Sequence, residues 1–163
     1  MTQSDSPYSF RTATVDDLPM LSEWQRRPHV AAWWDASTEY TPDDLLDRRM
    51  AIWIVGFDDR PFAFLQDYDV HGWPDHPFGY LPPGSRGIDQ FIADPAMLGI
   101  GHGSAFIRLH VLDLLGQGVP VVGTDPDPRN GRAIAAYGKV GFTVVAGPVE
   151  TEWGPSLLME CRA

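Results

Sequence analysis

Five residues, Gly99-Ile100-Gly101-His102-Gly103, stand where a strand-like run ending at Ala93 gives way to an apolar helical pattern. Their types suit an anion: backbone N–H groups at a helix N-terminus, reinforced by the helix dipole, bind phosphate. Glycine lets the backbone close on such a ligand and adopt positive φ. Alone, the pattern also fits a flexible turn that caps the following helix. No Gly-Lys-Ser or Gly-Lys-Thr occurs, which excludes a Walker loop, and the mid-chain position and glycine spacing differ from the dinucleotide fingerprint. A second chemical feature is Asp89, an acid between Ile88 and Phe91 on a run that reads as a buried strand. Burying a carboxylate there is costly without a partner or a purpose, and an ion pair with Arg86 is one such partner. Asp125 and Asp127 lie in Thr124-Asp125-Pro126-Asp127-Pro128, at a strand end where Asp-Pro is also an ordinary turn former.

Other reactive types carry less. His71, Asp75 and His76 match no zinc spacing, so no metal is expected. The single cysteine, Cys161, sits in the last apolar stretch and reads as a core residue. The chain holds 22 Asp plus Glu against 12 Lys plus Arg, a formal charge of -10. That balance excludes a routine nucleic-acid binder, which needs a basic face. It leaves two readings, a solvated acidic surface or a cleft that attracts cations.

The elements that must position these residues follow from periodicity and caps. Residues 1–7 read as a disordered tail and 8–163 as one domain. Tyr8 to Ala13 reads as a strand, then a helix after Thr14 that Pro28 ends, then a helix capped by Thr41 with Pro42 at its first position. Ala51 to Phe57 and Pro61 to Asp69 form a hairpin about Asp58-Asp59-Arg60. Residues 70–87 are an irregular loop rich in Pro and Gly. Gly87 to Ala93 is a strand, Ser104 to Leu115 a helix, Val119 to Thr124 a strand, and Asn130 to Gly138 a helix. Phe142 to Ala146 and Ser156 to Cys161 complete the strands. This order describes an α/β (α+β) mixed sheet covered by helices. No apolar run approaches the roughly 20 residues of a membrane span, and the N-terminus lacks the features of a secretory signal. A cytoplasmic protein with no membrane partner is expected.

Leu98-Gly99-Ile100-Gly101-His102-Gly103, followed by Asn130-x-x-Ala133-x-x-x-Tyr137-x-Lys139-x-Gly141-Phe142, resembles the acetyl-CoA signature of the GNAT superfamily of N-acetyltransferases. Within it, Gly87-Ile88-Asp89-Gln90, Thr124-Asp125-Pro126, Glu23-Trp24, His29 and Trp33-Trp34 resemble the aminoglycoside 6'-N-acetyltransferases. The resemblance runs from about Tyr8 to Cys161. It departs at Leu98, where the family usually has Gln or Arg, and between Val70 and Arg86, where substrate identity is decided.

The resemblance implies a central mixed, mostly antiparallel, splayed sheet of about seven strands with about four helices. It implies acetyl-CoA as co-substrate, held by the backbone near Phe91 and Ile92, by Gly99, Ile100, Gly101, His102, Gly103 and Ser104, and by Asn130. Tyr137 is then the candidate general acid, a phenol that is protonated at pH 7. Asp89 is the candidate that binds and deprotonates the amine, directly or through water. Trp33, Trp34, Gln66, Asp67, Tyr68 and Asp125 are candidate substrate contacts. The implied reaction is direct acetyl transfer to a cationic aminoglycoside amine by a monomer or homodimer, giving antibiotic resistance. The alternatives are an acetyltransferase for another small amine and a non-catalytic acyl-CoA-binding module.

Overall fold

The computed structural model describes residues 5–35 and 37–163, so the first four residues of the expected tail lie outside it. Seven strands form one sheet in the order β1-β2-β3-β4-β5-β7-β6. They are β1 (Tyr8–Thr12), β2 (Met50–Phe57), β3 (Arg60–Asp69), β4 (Arg86–Ile92), β5 (Val121–Thr124), β6 (Thr143–Thr151) and β7 (Gly154–Arg162). Five helices accompany them: α1 (Leu18–Gln25), α2 (Pro28–Ala31), α3 (Pro42–Leu46), α4 (His102–Gly116) and α5 (Gly131–Val140). Among the described residues no helix is long and apolar enough to cross a membrane.

Local chemistry accounts for the boundaries. β1 and β2 run antiparallel from Tyr8 opposite Phe57 to Thr12 opposite Trp53. The hairpin from β2 to β3 turns on Asp58 and Asp59, both at positive φ (48° and 65°), the tight mirror-image turn whose twist suits paired strands. Thr41 caps α3 as its sequence announces, its backbone N–H donating to Asp44 Oδ2 at 2.7 Å. The chain after Thr14 first makes a 3-10 turn, Val15–Asp17, and only then an α-helix. Asp17 fixes that turn by accepting from Thr14 N and from both terminal nitrogens of Arg11. The Arg11 guanidinium holds the Asp17 carboxyl below its usual range. The helix ends before Pro28 as expected, and Pro28 also opens the short α2 after an extended Arg27, because proline disfavours a helical residue before it and suits a first helical position itself. The last hairpin runs longer than its apolar pattern. Register shifts between Val144 and Val149 absorb Gly147-Pro148, and pairing resumes to Thr151 opposite Gly154.

Two compact units emerge, one comprising residues up to Gln66 with Gln90–Leu98, the other Asp67–Asp89 with Gly99–Ala163. In the first, Leu21, Trp24, Val30, Ile52, Ile54, Phe64 and Phe91 form the core. Phe64 and Phe91 stack with centroids 4.9 Å apart. In the second, Ile88, Phe106, Ile107, Val111, Val121, Val122 and Phe142 are buried. Here β4 meets β5 in parallel, Arg86 opposite Val122 and Gly87 opposite Gly123. Phe78, fully buried, anchors the loop before β4: a Cβ on Gly123 would lie 2.9 Å from its ring. Replacing Phe78 by Ala removes a buried ring and leaves a cavity, a loss of about 3–5 kcal/mol. Urea unfolding of Phe78→Ala should show a midpoint lowered accordingly; an unchanged midpoint would mean that the ring carries no core.

Candidate functional site

The anion cradle is built from glycine conformation. Asp94 caps a 3-10 turn, Pro95–Met97, by accepting from Ala96 N at 3.0 Å. Gly99 and Gly101 then take φ of 72° and 98°, and Gly101 is the N-cap of α4. A Cβ at either glycine would meet nothing within 4 Å. The glycines are therefore required by the left-handed backbone, and the surface over them is open to a ligand. α4 begins at this loop, which places the positive end of the helix dipole at the glycines. Ser104 Oγ donates to Gly101 O at 3.2 Å, so its hydroxyl proton is directed into the turn. The Ile100 side chain is exposed on the loop.

Asn130 caps α5, its Oδ1 accepting from Ala133 N at 3.2 Å. This orients the side chain and leaves its NH₂ as the donor available to a carbonyl-bearing ligand. The preceding Asp127 is bonded to Arg129 through N, Nε and Nη2. Arg129 holds it down to about 2, so the turn-forming reading of Asp127 applies.

The chemical centre of the second unit comprises Tyr68 on β3, Asp89 on β4, Asp125 after β5 and Tyr137 on α5. Side chains alternate along a strand. Gly87 and Asp89 therefore share one face of β4, and Tyr68 lies on it: a Cβ on Gly87 would lie 2.3 Å from Tyr68 Cζ. The parallel pairing of β4 with β5 gives way after Gly87 to a side-chain bond, Thr124 Oγ1 donating to Ile88 O at 3.1 Å. Burial raises the proton affinity of Asp125 well above that of an ordinary carboxyl, and the charge of Asp89 raises it further. Burial likewise pushes the Tyr68 phenol up, with Asp89, Asp125 and Tyr137 adding to the shift. Tyr137 is 4% exposed and meets Phe142 edge-on at 5.5 Å, so its ring is fixed by packing while its hydroxyl belongs to this cluster. A carboxyl whose ionisation its neighbouring acid opposes, beside the Tyr68 phenol whose proton burial holds, suits a cation.

The other candidates lie elsewhere. Asp67, expected at the substrate, is 3% exposed and serves a different purpose. Its Oδ1 accepts from Arg86 Nε and Nη2 at 2.9 and 2.5 Å, and its Oδ2 accepts from His110 Nε2 at 2.8 Å. Arg86, considered as a partner for Asp89, is thus engaged by Asp67. Trp33, Trp34, Gln66, Phe91 and Ile92 belong to the first unit. Trp33 is 49% exposed, whereas Trp34 packs edge-on against Phe64 and Phe91. Gln66 Oε1 accepts from the Tyr40 hydroxyl at 2.6 Å. The carbonyls that follow Phe91 are held from α2 and the residue that caps it: Ile92 O accepts from His29 Nε2 at 2.9 Å, and Ala93 O from Arg27 Nη1 at 2.8 Å. The role of Arg27 had no signal in the sequence.

The irregular loop is internally ordered. His71 Nε2 donates to Leu81 O at 2.9 Å, and Phe78 N donates to His76 Nδ1 at 3.1 Å. Trp73 and His76 both meet the Tyr68 ring, and Trp153 meets His76. Among the described residues no group of three His, Cys, Asp or Glu could hold a metal ion. Burial pushes the Cys161 thiol up, away from nucleophilic use.

Residues 13–147 match the family model described as acetyltransferase (GNAT) domain. Aminoglycoside N(6')-acetyltransferase type 1 of Klebsiella pneumoniae is 33% identical over 98% of this chain and 85% of its own length. Aminoglycoside acetyltransferase AAC(6')-Ib in complex with coenzyme A and kanamycin superposes with a TM-score of 0.85 at 34% identity, covering 95% of this chain and 94% of that one. The same protein with paromomycin and acetyl-CoA gives a TM-score of 0.86 at 34% identity, over 97% and 94%.

The raised proton affinity of Asp125 fixes the sign of a stability effect. A carboxyl that binds its proton more tightly folded than unfolded costs the fold nothing below the ordinary carboxyl range. It becomes destabilising as pH rises from about 4. Asp125→Asn should therefore melt at a higher temperature than wild type at pH 7, with the gap closing toward pH 4. A variant that melts lower at pH 7 would mean that the carboxylate is stabilised by its surroundings.

Proposed function

The chain belongs to the GNAT acetyltransferase family, and from that membership we propose that it acetylates a primary amine of an aminoglycoside, the 6'-amine, using acetyl-CoA in a ternary complex. The observation that carries the choice of acceptor is the raised proton affinity of Asp125, which burial and then the charge of Asp89 produce beside Tyr68. A cationic amine relieves that repulsion, and a sugar bearing several ammonium groups engages both carboxylates. The names of its relatives support the same class of acceptor.

The open left-handed backbone at Gly99 and Gly101 fits a pyrophosphate, with the amides of His102, Gly103 and Ser104 as its donors. Asn130 Nδ2 would donate to the pantetheine arm. Acetyl-CoA supplies the acetyl group as a thioester. Asp89 holds the acceptor nitrogen and draws off its proton, directly or through water. Asp125, deprotonated as the cation arrives, binds a further ammonium. Tyr137 keeps a proton at Oη for the departing sulfur. We read both compact units as one acetyltransferase domain, since β3 and β4 run through each, acting in the cytoplasm as a monomer or homodimer and conferring aminoglycoside resistance.

Thiol release should be rapid with kanamycin-type aminoglycosides and weak with spermidine or peptide N-termini. Turnover of spermidine or peptides without any aminoglycoside would overturn the proposed acceptor, and tight acetyl-CoA binding with no thiol release from any amine would overturn the enzyme. Tyr137→Phe keeps the ring and removes the proton, so kcat should fall about 10²- to 10⁴-fold. A kcat within about threefold of wild type would remove Tyr137 from the chemistry.

A further inference from the structure

On the face of β3 and β4 turned away from Tyr68 and Asp89 lies a cluster of the buried Asp67 and His110 with the half-buried Arg86. Asp67 and Tyr68 are consecutive on β3, and Arg86 and Gly87 are consecutive on β4, so each pair projects to opposite faces. One face carries Asp67 and Arg86, and the other carries the Tyr68 ring against Gly87 with Asp89 two residues on. The Arg86 guanidinium grips Asp67 twice, through the carboxylate at 2.5 and 2.9 Å and through the backbone carbonyl at 3.1 Å. It therefore fixes the main chain of β3 directly, at the residue preceding Tyr68. His110, 5% exposed on α4, donates to the remaining Asp67 oxygen at 2.8 Å. α4 is the helix whose N-terminus forms the anion cradle. One carboxylate thus joins the strand bearing Tyr68, the strand bearing Asp89 and the helix that follows the glycine loop.

We propose that the Asp67–Arg86–His110 cluster is a positioning device for acetyl transfer, setting where Tyr68 stands relative to Asp89. Apolar residues of similar volume fill such a buried place at comparable stability. What the ionic cluster adds is direction: the planar fork of Arg86 permits one orientation of β3 against β4, and His110 fixes the rotamer of the carboxylate. None of the three touches substrate, so their effect passes through Tyr68 and Asp89. The inference rests on the acetyltransferase reading and is independent of which amine is accepted.

The test compares His110→Leu, which removes the donor, with His110→Gln, whose side-chain N–H reaches the same oxygen. Arg86→Lys keeps the charge and loses the fork. Steady-state kinetics use the amine that wild type acetylates fastest, and ¹³C-labelled tyrosine reports the Tyr68 ring, its signal assigned with Tyr68→Phe. His110→Leu should lower kcat about tenfold, leave KM for acetyl-CoA within about twofold and move the Tyr68 resonance. His110→Gln should restore both readouts to within about twofold of wild type. Folded His110→Leu with wild-type kcat and an unmoved Tyr68 signal would overturn the proposal, as would equal losses in the Leu and Gln variants. Should His110→Leu not fold, Arg86→Lys decides: reduced kcat with a displaced Tyr68 signal supports positioning, and wild-type values for both overturn it. A wild-type protein inactive on aminoglycosides sinks the proposed acceptor alone, since the Tyr68 resonance still reads the cluster.

Discussion

Two half-buried carboxyls, Asp89 and Asp125, interact in the second unit, and the charge of one opposes the ionisation of the other. Asp125 keeps its proton more tightly than an ordinary acid because it is buried and because Asp89 is near. Left alone, such a pair weakens the fold. Beside a cationic amine the same pair gains, since the incoming charge replaces the repulsion with attraction on both sides. We propose that the pair is a strain held for a ligand, an ordinary reason for a protein to tolerate clustered acids in a site.

Keeping that strain in place requires close backbone packing. Gly87 admits the Tyr68 ring against β4, and Gly123 admits Phe78 against β5, each at a position where a methyl group would collide. The loop between β3 and β4 is therefore seated on the strands it connects, and its Trp73 and His76 surround the same tyrosine. Behind the strands, Asp67 ties Arg86 to His110. Several of the chain's other acids do quieter tasks: Asp17, Asp44, Asp94 and Asp127 close turns or cap helices.

How much of this the sequence disclosed depended on distance along the chain. The cap at Thr41, the Asp58-Asp59 turn and the glycine loop before α4 rest on neighbouring residues, and their types announce them. Pro28 was ambiguous because one residue can both stop a helix and begin another. The role of Asp67 was not legible: its partners Arg86 and His110 lie 19 and 43 residues away, and its neighbours Gln66 and Tyr68 suggested a substrate contact. Period-2 alternation nevertheless held the clue, since Asp67 and Tyr68 on one strand cannot face the same ligand. The order of the loop from residue 70 to 85 was hidden for a related reason, because its anchor is Phe78 filling the space above a glycine on a later strand. For Asp89, Asp125 and Tyr137 the motifs supplied positions, and Tyr68 was already a candidate substrate contact; the structure adds the electrostatic interaction among their side chains.

The central claim is that the Asp125–Asp89 pair is set to receive a cation. It is tested most directly by following the Asp125 side-chain carboxyl by ¹³C NMR through a pH titration, without and with saturating kanamycin. A midpoint well above the ordinary carboxyl range that falls by about one unit or more when kanamycin binds would agree with it. A midpoint already in the ordinary range, or one that kanamycin leaves unmoved, would contradict it.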